Sequence, residues 1–143
     1  MRLWDWRLIP YLPRTQLLSQ WRELNSIFKK QDKHILINYI YDYDVSDLYG
    51  YSNMVIEEMQ KRGYKIKSFD NHNNFFEKYR FLYKETKPFK KHHTDEYLLI
   101  CFWNLREKYI RGQKDFDDIT WNKLNEFMSN KLSRMLDEEV ERL

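Results

Sequence analysis

At 143 residues the chain is long enough to close one hydrophobic core and too short for two comfortable ones, so 1–143 reads as a single domain with one site. Aromatic residues make up 17% of it and only three glycines and three prolines interrupt it, which favours long helices and argues against disorder or a turn-rich β-fold. Net charge is only +3, yet Met1–His34 carries seven cations against three acids and Lys61–Lys91 ten against three; this suits either a basic face for a polyanion, nucleic acid foremost, or an ordinary solvated surface.

The chain begins MRLWDWRLIPYLPR. Termini are usually frayed and polar, so the bulk of Leu3, Trp4, Trp6, Leu8 and Ile9 marks a segment held down by packing, while Asp5 and Arg7 interrupt any signal-peptide core. Pro13 suits the start of a helix, and from it Leu17, Trp21, Leu24 and Phe28 recur at helical spacing as a core-facing stripe. Arg14, Arg22 and Lys29 lie on one flank of that stripe; Gln16, Gln20, Glu23 and Lys30 lie on the other.

A second helix is expected from Ser46 or Ser52 through Met54, Val55 and Met59 to Arg62, with Gly63 as a left-handed terminator. The pattern predicts a shorter helix over Phe75 to Tyr83, ending before Pro88. Thr94-Asp95-Glu96 caps a third long helix that stops at Gly112 and buries Leu98, Phe102, Leu105 and Tyr109. The lone Cys101, within its apolar run, reads as a core residue and excludes a disulfide framework or thiolate zinc site. A fourth helix from Asp117 or Asp118 carries Trp121, Leu124, Met128, Met135 and Val140 towards the C-terminus. The fold class expected is all-α.

No segment approaches the ~18 apolar residues of a membrane span, and a cytoplasmic protein is expected. There is no glycine-rich phosphate loop, HExxH, CxxC or GxSxG; Asp42, Asp44 and Asp47 lack the glycine and terminal glutamate of a calcium loop. Adjacent His92 and His93 point different ways on a helix, so neither metal nor cofactor is expected. What stands out is the N-terminus as a functional group. An α-amine has a pKa near 7.7 to 8.0 against about 10.4 for lysine, leaving roughly a tenth of it neutral and nucleophilic at pH 7. It is the natural Schiff-base former of an unmodified chain.

QLLSQWREL (Gln16 to Leu24) joined to the basic N-terminus, NSIFKK, and the later EMQKRGYKIK (Glu58 to Lys67) together resemble the pyrimidine-dimer DNA glycosylases of the phage endonuclease V type and their bacterial relatives. A weaker echo follows in LREKYI (Leu105 to Ile110). The resemblance implies a compact helical domain whose N-terminal segment packs between the main helices and delivers its α-amine to the site. It implies glycosylase action on a damaged nucleotide in double-stranded DNA, then β-elimination at the abasic sugar through an imine. Glu23 matches the family's catalytic glutamate, Arg2 and Arg22 match its phosphate- and sugar-gripping arginines, and Gln16 falls where the family has an active-site histidine.

The phage-type enzymes expose a small threonine after losing methionine. Here Arg2 follows Met1, and a residue of that size blocks methionine removal, so the α-amine of a deformylated Met1 takes the nucleophile's place. Ser26 stands where the family has another phosphate-binding arginine, with Lys29 or Lys30 as the substitute; a long acidic stretch replaces the tyrosine-rich tail. Met1 and Glu23 are thus the expected catalytic pair, and Arg2, Arg14, Gln16, Arg22, Lys29, Lys30 and His34 the expected DNA contacts. The expected protein is a monomer, nucleoid-associated when at work, with dimerisation through the C-terminal helix as the other arrangement. Two other classes fit the same scaffold: a non-catalytic helical nucleic-acid-binding module, and a helical protein-interaction domain.

Overall fold

Helices in this protein begin and end where their backbone ends find partners. The computed structural model describes residues 2–31 and 33–142, and none of these forms a strand. A 3-10 helix at Trp6–Tyr11 precedes α1 (Arg14–Lys30), and a second at Asn38–Asp42 precedes α2 (Val45–Lys61), α3 (Asp70–Phe76), α4 (Asp95–Ile110) and α5 (Asp118–Arg142). The fold is all-α. The side chains of Asp44, Thr94 and Asp117 accept the N–H groups of Ser46, Tyr97 and Thr120 at 2.8, 3.2 and 2.8 Å, capping α2, α4 and α5.

Gly63 and Gly112 sit at φ +80° and +84° just past α2 and α4. At each, the following N–H reaches back over the last turn, Tyr64 to Met59 at 2.9 Å and Gln113 to Lys108 at 3.1 Å, which closes the helix. No glycine marks the end of α1. Gln31 takes the left-handed conformation there, φ 50° and ψ 50°, and donates to the Ile27 carbonyl at 2.8 Å.

The core gathers around the N-terminal segment. Leu3, Leu8, Ile9 and Leu12 are wholly buried with Leu17, Leu24 and Ile27 of α1, Tyr51 and Val55 of α2, and Leu98, Cys101 and Leu105 of α4. The Trp6–Tyr11 turn lies against α2 and α5, while α1 packs on α2 and α3. Trp121 of α5 stacks on Phe102 and Tyr109 of α4 with centroids 5.7 and 4.7 Å away.

Two expectations are corrected. The short third helix is Asp70–Phe76 rather than Phe75 to Tyr83. Ser68 Oγ caps it by accepting the Asp70 N–H at 3.1 Å, and His72, Phe75 and Phe76 pack on Phe28; past Phe76 no neighbour covers Lys78, Arg80 or Phe81, which are exposed. Val140, expected on the apolar stripe of the last helix, is exposed, because beyond Met128 α5 runs past the core with Leu136 and Val140 facing solvent.

Gly50 of α2 faces the backbone of the loop at Glu85. An added Cβ would lie 2.6 Å from the Glu85 N and closer still to its carbonyl oxygen, backbone atoms that cannot turn aside. Gly50→Ala is therefore expected to destabilise the protein by ~1–3 kcal/mol, read as a lower urea midpoint at unchanged slope.

Candidate active site

The stretch Arg2–Asp5 crosses the interior as irregular backbone leading into the Trp6–Tyr11 turn, so its polar groups, and the free N–H of Trp6 at the start of that turn, depend on side chains from the elements around it. Gln20 of α1 serves two of them, its Oε1 accepting the Trp4 N–H at 2.8 Å and its Nε2 donating to the Arg2 carbonyl at 3.2 Å, and the same Oε1 lies 2.9 Å from the Tyr51 hydroxyl. Tyr51 of α2 also donates to the Trp4 carbonyl at 2.7 Å, and Tyr97 of α4 donates to that of Leu3 at 2.5 Å. Trp6 N–H donates to His93 Nδ1 at 3.2 Å. Asp5, wholly buried, is held by the Arg7 guanidinium, which also reaches Asp95 Oδ1 at 2.7 Å and the carbonyls of His93 and Thr94.

At the outer end of this segment stands Glu23. Its Oε2 accepts the Arg2 backbone N–H at 3.2 Å. Partial burial pushes its carboxyl above the ordinary carboxylate value, opposed by the Arg2 N–H and by the His34 imidazole, which lies within electrostatic reach. The Arg2 guanidinium sits 5.9 Å over the Tyr97 ring. A carboxylate half out of water beside a fixed backbone N–H can stabilise positive charge developing on a bound group and exchange protons with it.

The remaining expected residues fall in three places. Arg22, Lys29 and Lys30 line a recess of about 340 Å³ together with Trp21, Asn25, Ser26 and Asn71, so the two lysines share a surface with the position where the serine stands. His34 is exposed in the turn after α1. Arg14 lies apart, 5.4 Å over the Tyr64 ring, and Gln16 is 7% exposed, its carboxamide paired both ways with that of Gln113 at 3.0 and 2.8 Å. Met1 lies outside the described residues. A larger cavity of about 620 Å³, lined by Trp6, Pro10, Met54, Phe127 and Arg134 among others, contains none of these residues. Among the described residues no group of three His, Cys, Asp or Glu is placed to hold a metal, and no helix is long and apolar enough to cross a membrane.

The model of one family, pyrimidine dimer DNA glycosylase, matches residues 1–72. The chain belongs to that family. Membership implies pyrimidine dimer DNA glycosylase activity in general, and with it a DNA substrate. The matched stretch holds the N-terminal segment, α1, α2 and the start of α3, hence Glu23, Gln20, Tyr51 and the basic recess. Comparison with curated proteins and with solved structures finds no significant match.

Sequence reasoning missed the residues that hold the segment. Gln20 was assigned only to a helix flank, and Tyr51, Tyr97 and His93 were assigned no part in it. The available signal was an uncharged carboxamide one turn before Glu23 on the same helix edge, which Gln16 shares.

His93 is buried and neutral. Its Nδ1 accepts the Trp6 N–H, so Nε2 carries the proton and donates to the Tyr39 oxygen at 2.7 Å. Charging the ring would set a second N–H against that of Trp6, and burial, with Arg7 and His92 nearby, pushes its pKa down from 6.5 to about 3. The unfolded chain takes up a proton near 6.5 that the native state refuses, so stability falls as pH drops below about 6.5, by up to about 1.4 kcal/mol per unit. Asp5 and Glu23, pushed up by burial, act in the opposite sense. Urea unfolding between pH 7 and pH 5 is expected to show this acid loss in the wild type relative to His93→Gln.

Proposed function

We propose that this member of the family is a bifunctional DNA glycosylase and abasic-site lyase whose nucleophile is the α-amine of Met1. The observation that carries the reading is the hydrogen bond from the Arg2 backbone N–H to Glu23. Three covalent bonds, N–Cα–C–N, separate that nitrogen from the α-amine, a span of no more than ~4 Å whatever the torsions. This covalent tether supports assigning the amine and the carboxylate to one site.

In this mechanism the neutral amine attacks C1′ of the damaged nucleotide, forming an N–C1′ bond as the glycosidic C1′–N bond breaks and the base leaves with its electron pair. Loss of the proton from the amine and opening of the sugar give the imine. Glu23, ionised, stabilises the cationic sugar and then the protonated imine. Removal of a C2′ proton breaks the C3′–O bond by β-elimination, and hydrolysis of the imine frees the enzyme.

Arg2, Arg22, Lys29 and Lys30 grip the phosphates beside the lesion, while Ser26 leaves room among them. His34, exposed in the turn after α1, lies within electrostatic reach of Glu23. Gln16 and Arg14 support the contact from the other end of α1, where Arg14 is exposed. The protein acts as a monomer on DNA in the cytoplasm.

Borohydride reduction during incubation with abasic-site duplex tests the chemistry. The wild type is expected to yield a covalent protein–DNA adduct, Glu23→Gln to lower excision by about 10²–10⁴-fold, and selective acetylation of the α-amine to abolish trapping. Full trapping by the acetylated protein sinks the role of Met1. Arg22→Ala and Lys29→Ala should each reduce the slope of log affinity against log salt by about one, measured by fluorescence anisotropy.

A further inference from the structure

We infer that the protrusion at residues 78–81 is a second DNA contact of this protein, one for a single-stranded stretch: Phe81 stacks on an unpaired base while Arg80 and Lys78 meet the flanking phosphates. The inference rests on the DNA substrate that family membership implies, and it needs neither Met1 nor Glu23. The protrusion lies past residue 72, outside the stretch that the family model matches.

Phe81 is 91% exposed, more than any other large apolar side chain among the described residues. Its backbone is held at both ends. Before it, Phe75 and Phe76 are buried against Phe28, and the Tyr79 N–H donates to the Phe76 carbonyl at 3.1 Å. After it, Leu82 packs on the core and the Tyr83 N–H donates to Ser46 Oγ at 3.3 Å. The ring is thus offered to solvent from a tied loop, so stacking on it costs little ordering.

Cations surround it. Lys78 Nζ lies 4.8 and 5.5 Å over the rings of Phe75 and Tyr79, and Arg80 is exposed and in no ion pair among the described residues. Positive charge beside an outward aromatic face is the combination that holds a single strand, the cations taking phosphates and the ring a base. Bases inside an intact duplex already stack on both faces, so the Phe81 ring finds its partner where a base is unpaired. Position joins this contact to the basic recess. Asn71 of α3 lines that recess with Arg22, Lys29 and Lys30 and donates to Asn25 Oδ1 at 3.2 Å; α3 then runs about 10 Å towards the protrusion, about three nucleotides of a strand. Phe75, near its end, lies 5.4 Å from Phe28, which directly precedes Lys29, and 6.0 Å from Tyr79. The contact ends before Tyr83, which is exposed too but within electrostatic reach of Glu85, Asp44 and Asp47, carboxylates that disfavour a phosphate there.

The test reads fluorescence anisotropy of a labelled oligothymidylate and of an undamaged duplex of the same length, with the full chain as wild type, Phe81→Ala, Phe81→Trp, Arg80→Ala and Tyr83→Ala. Wild type should bind the oligothymidylate. Phe81→Ala should weaken that binding about tenfold and duplex binding by less than about twofold, and Phe81→Trp should restore it. Arg80→Ala should lower the single-strand slope of log affinity against log salt by about 0.7, while Tyr83→Ala should bind both as the wild type does. Wild-type single-strand affinity in Phe81→Ala overturns the contact. So does an equal loss on single strand and duplex, the mark of a general phosphate grip, or an equal loss in Tyr83→Ala, the mark of a general surface effect. A wild type that binds no oligothymidylate overturns it as well. Borohydride trapping reads the chemistry separately: a wild type that binds the single strand as stated but never traps abasic DNA overturns the lyase reading and leaves this contact standing.

Discussion

The buried backbone of Arg2 to Asp5, up to the first N–H of the Trp6–Tyr11 turn, lies in no helix, and no strand pairs with it among the described residues; the cost of leaving its N–H and C=O groups unpaired governs the design around it. Four side chains from three separate parts of the chain meet that demand: Gln20 of α1, Tyr51 of α2, and His93 and Tyr97 at the start of α4. All are neutral groups that can donate or accept, which suits an interior where an unpaired charge would be far more costly. The carboxamide of Gln20 is central, since one residue closes bonds to two segment groups and to Tyr51.

Charge enters only at the ends of the segment. At the inner end Asp5 is fully buried, and the Arg7 guanidinium holds it while reaching Asp95 and the carbonyls that begin α4. At the outer end Glu23 is half in water, and one backbone N–H from Arg2 fixes it. The interior pair fastens the chain, while the Glu23 carboxylate is half-buried next in sequence to Arg22, which lines the recess with Lys29 and Lys30. The 620 Å³ cavity between the Trp6–Tyr11 turn, α2 and α5 contains none of these residues.

The family match ends at residue 72, yet two of the four side chains holding the N-terminal segment, His93 and Tyr97, lie beyond it. The later part of the chain completes the support for a segment that the matched part supplies. The far half of α5 takes no part in this, and its Leu136 and Val140 remain exposed.

Helices α1, α2, α4 and α5 were legible because local signals coincide there: Asp44, Thr94 and Asp117 cap, Gly63 and Gly112 terminate, and apolar residues recur at helical spacing. The short α3 was misplaced because aromatic spacing continues past Phe76 while burial does not. Gln31 ended α1 in a left-handed conformation that no glycine announced. Glu23 and the basic residues of α1 were legible through helical geometry and family resemblance. The sequence by itself determined an all-α chain with an apolar N-terminus and a carboxylate on a helix edge, since these depend on residue type and short-range spacing. Only the tertiary structure decided that Gln20 rather than Gln16 meets the N-terminal segment, and that Tyr51, Tyr97 and His93 complete its bonds. Those pairings join residues as many as 94 positions apart in the chain, and no local pattern encodes them.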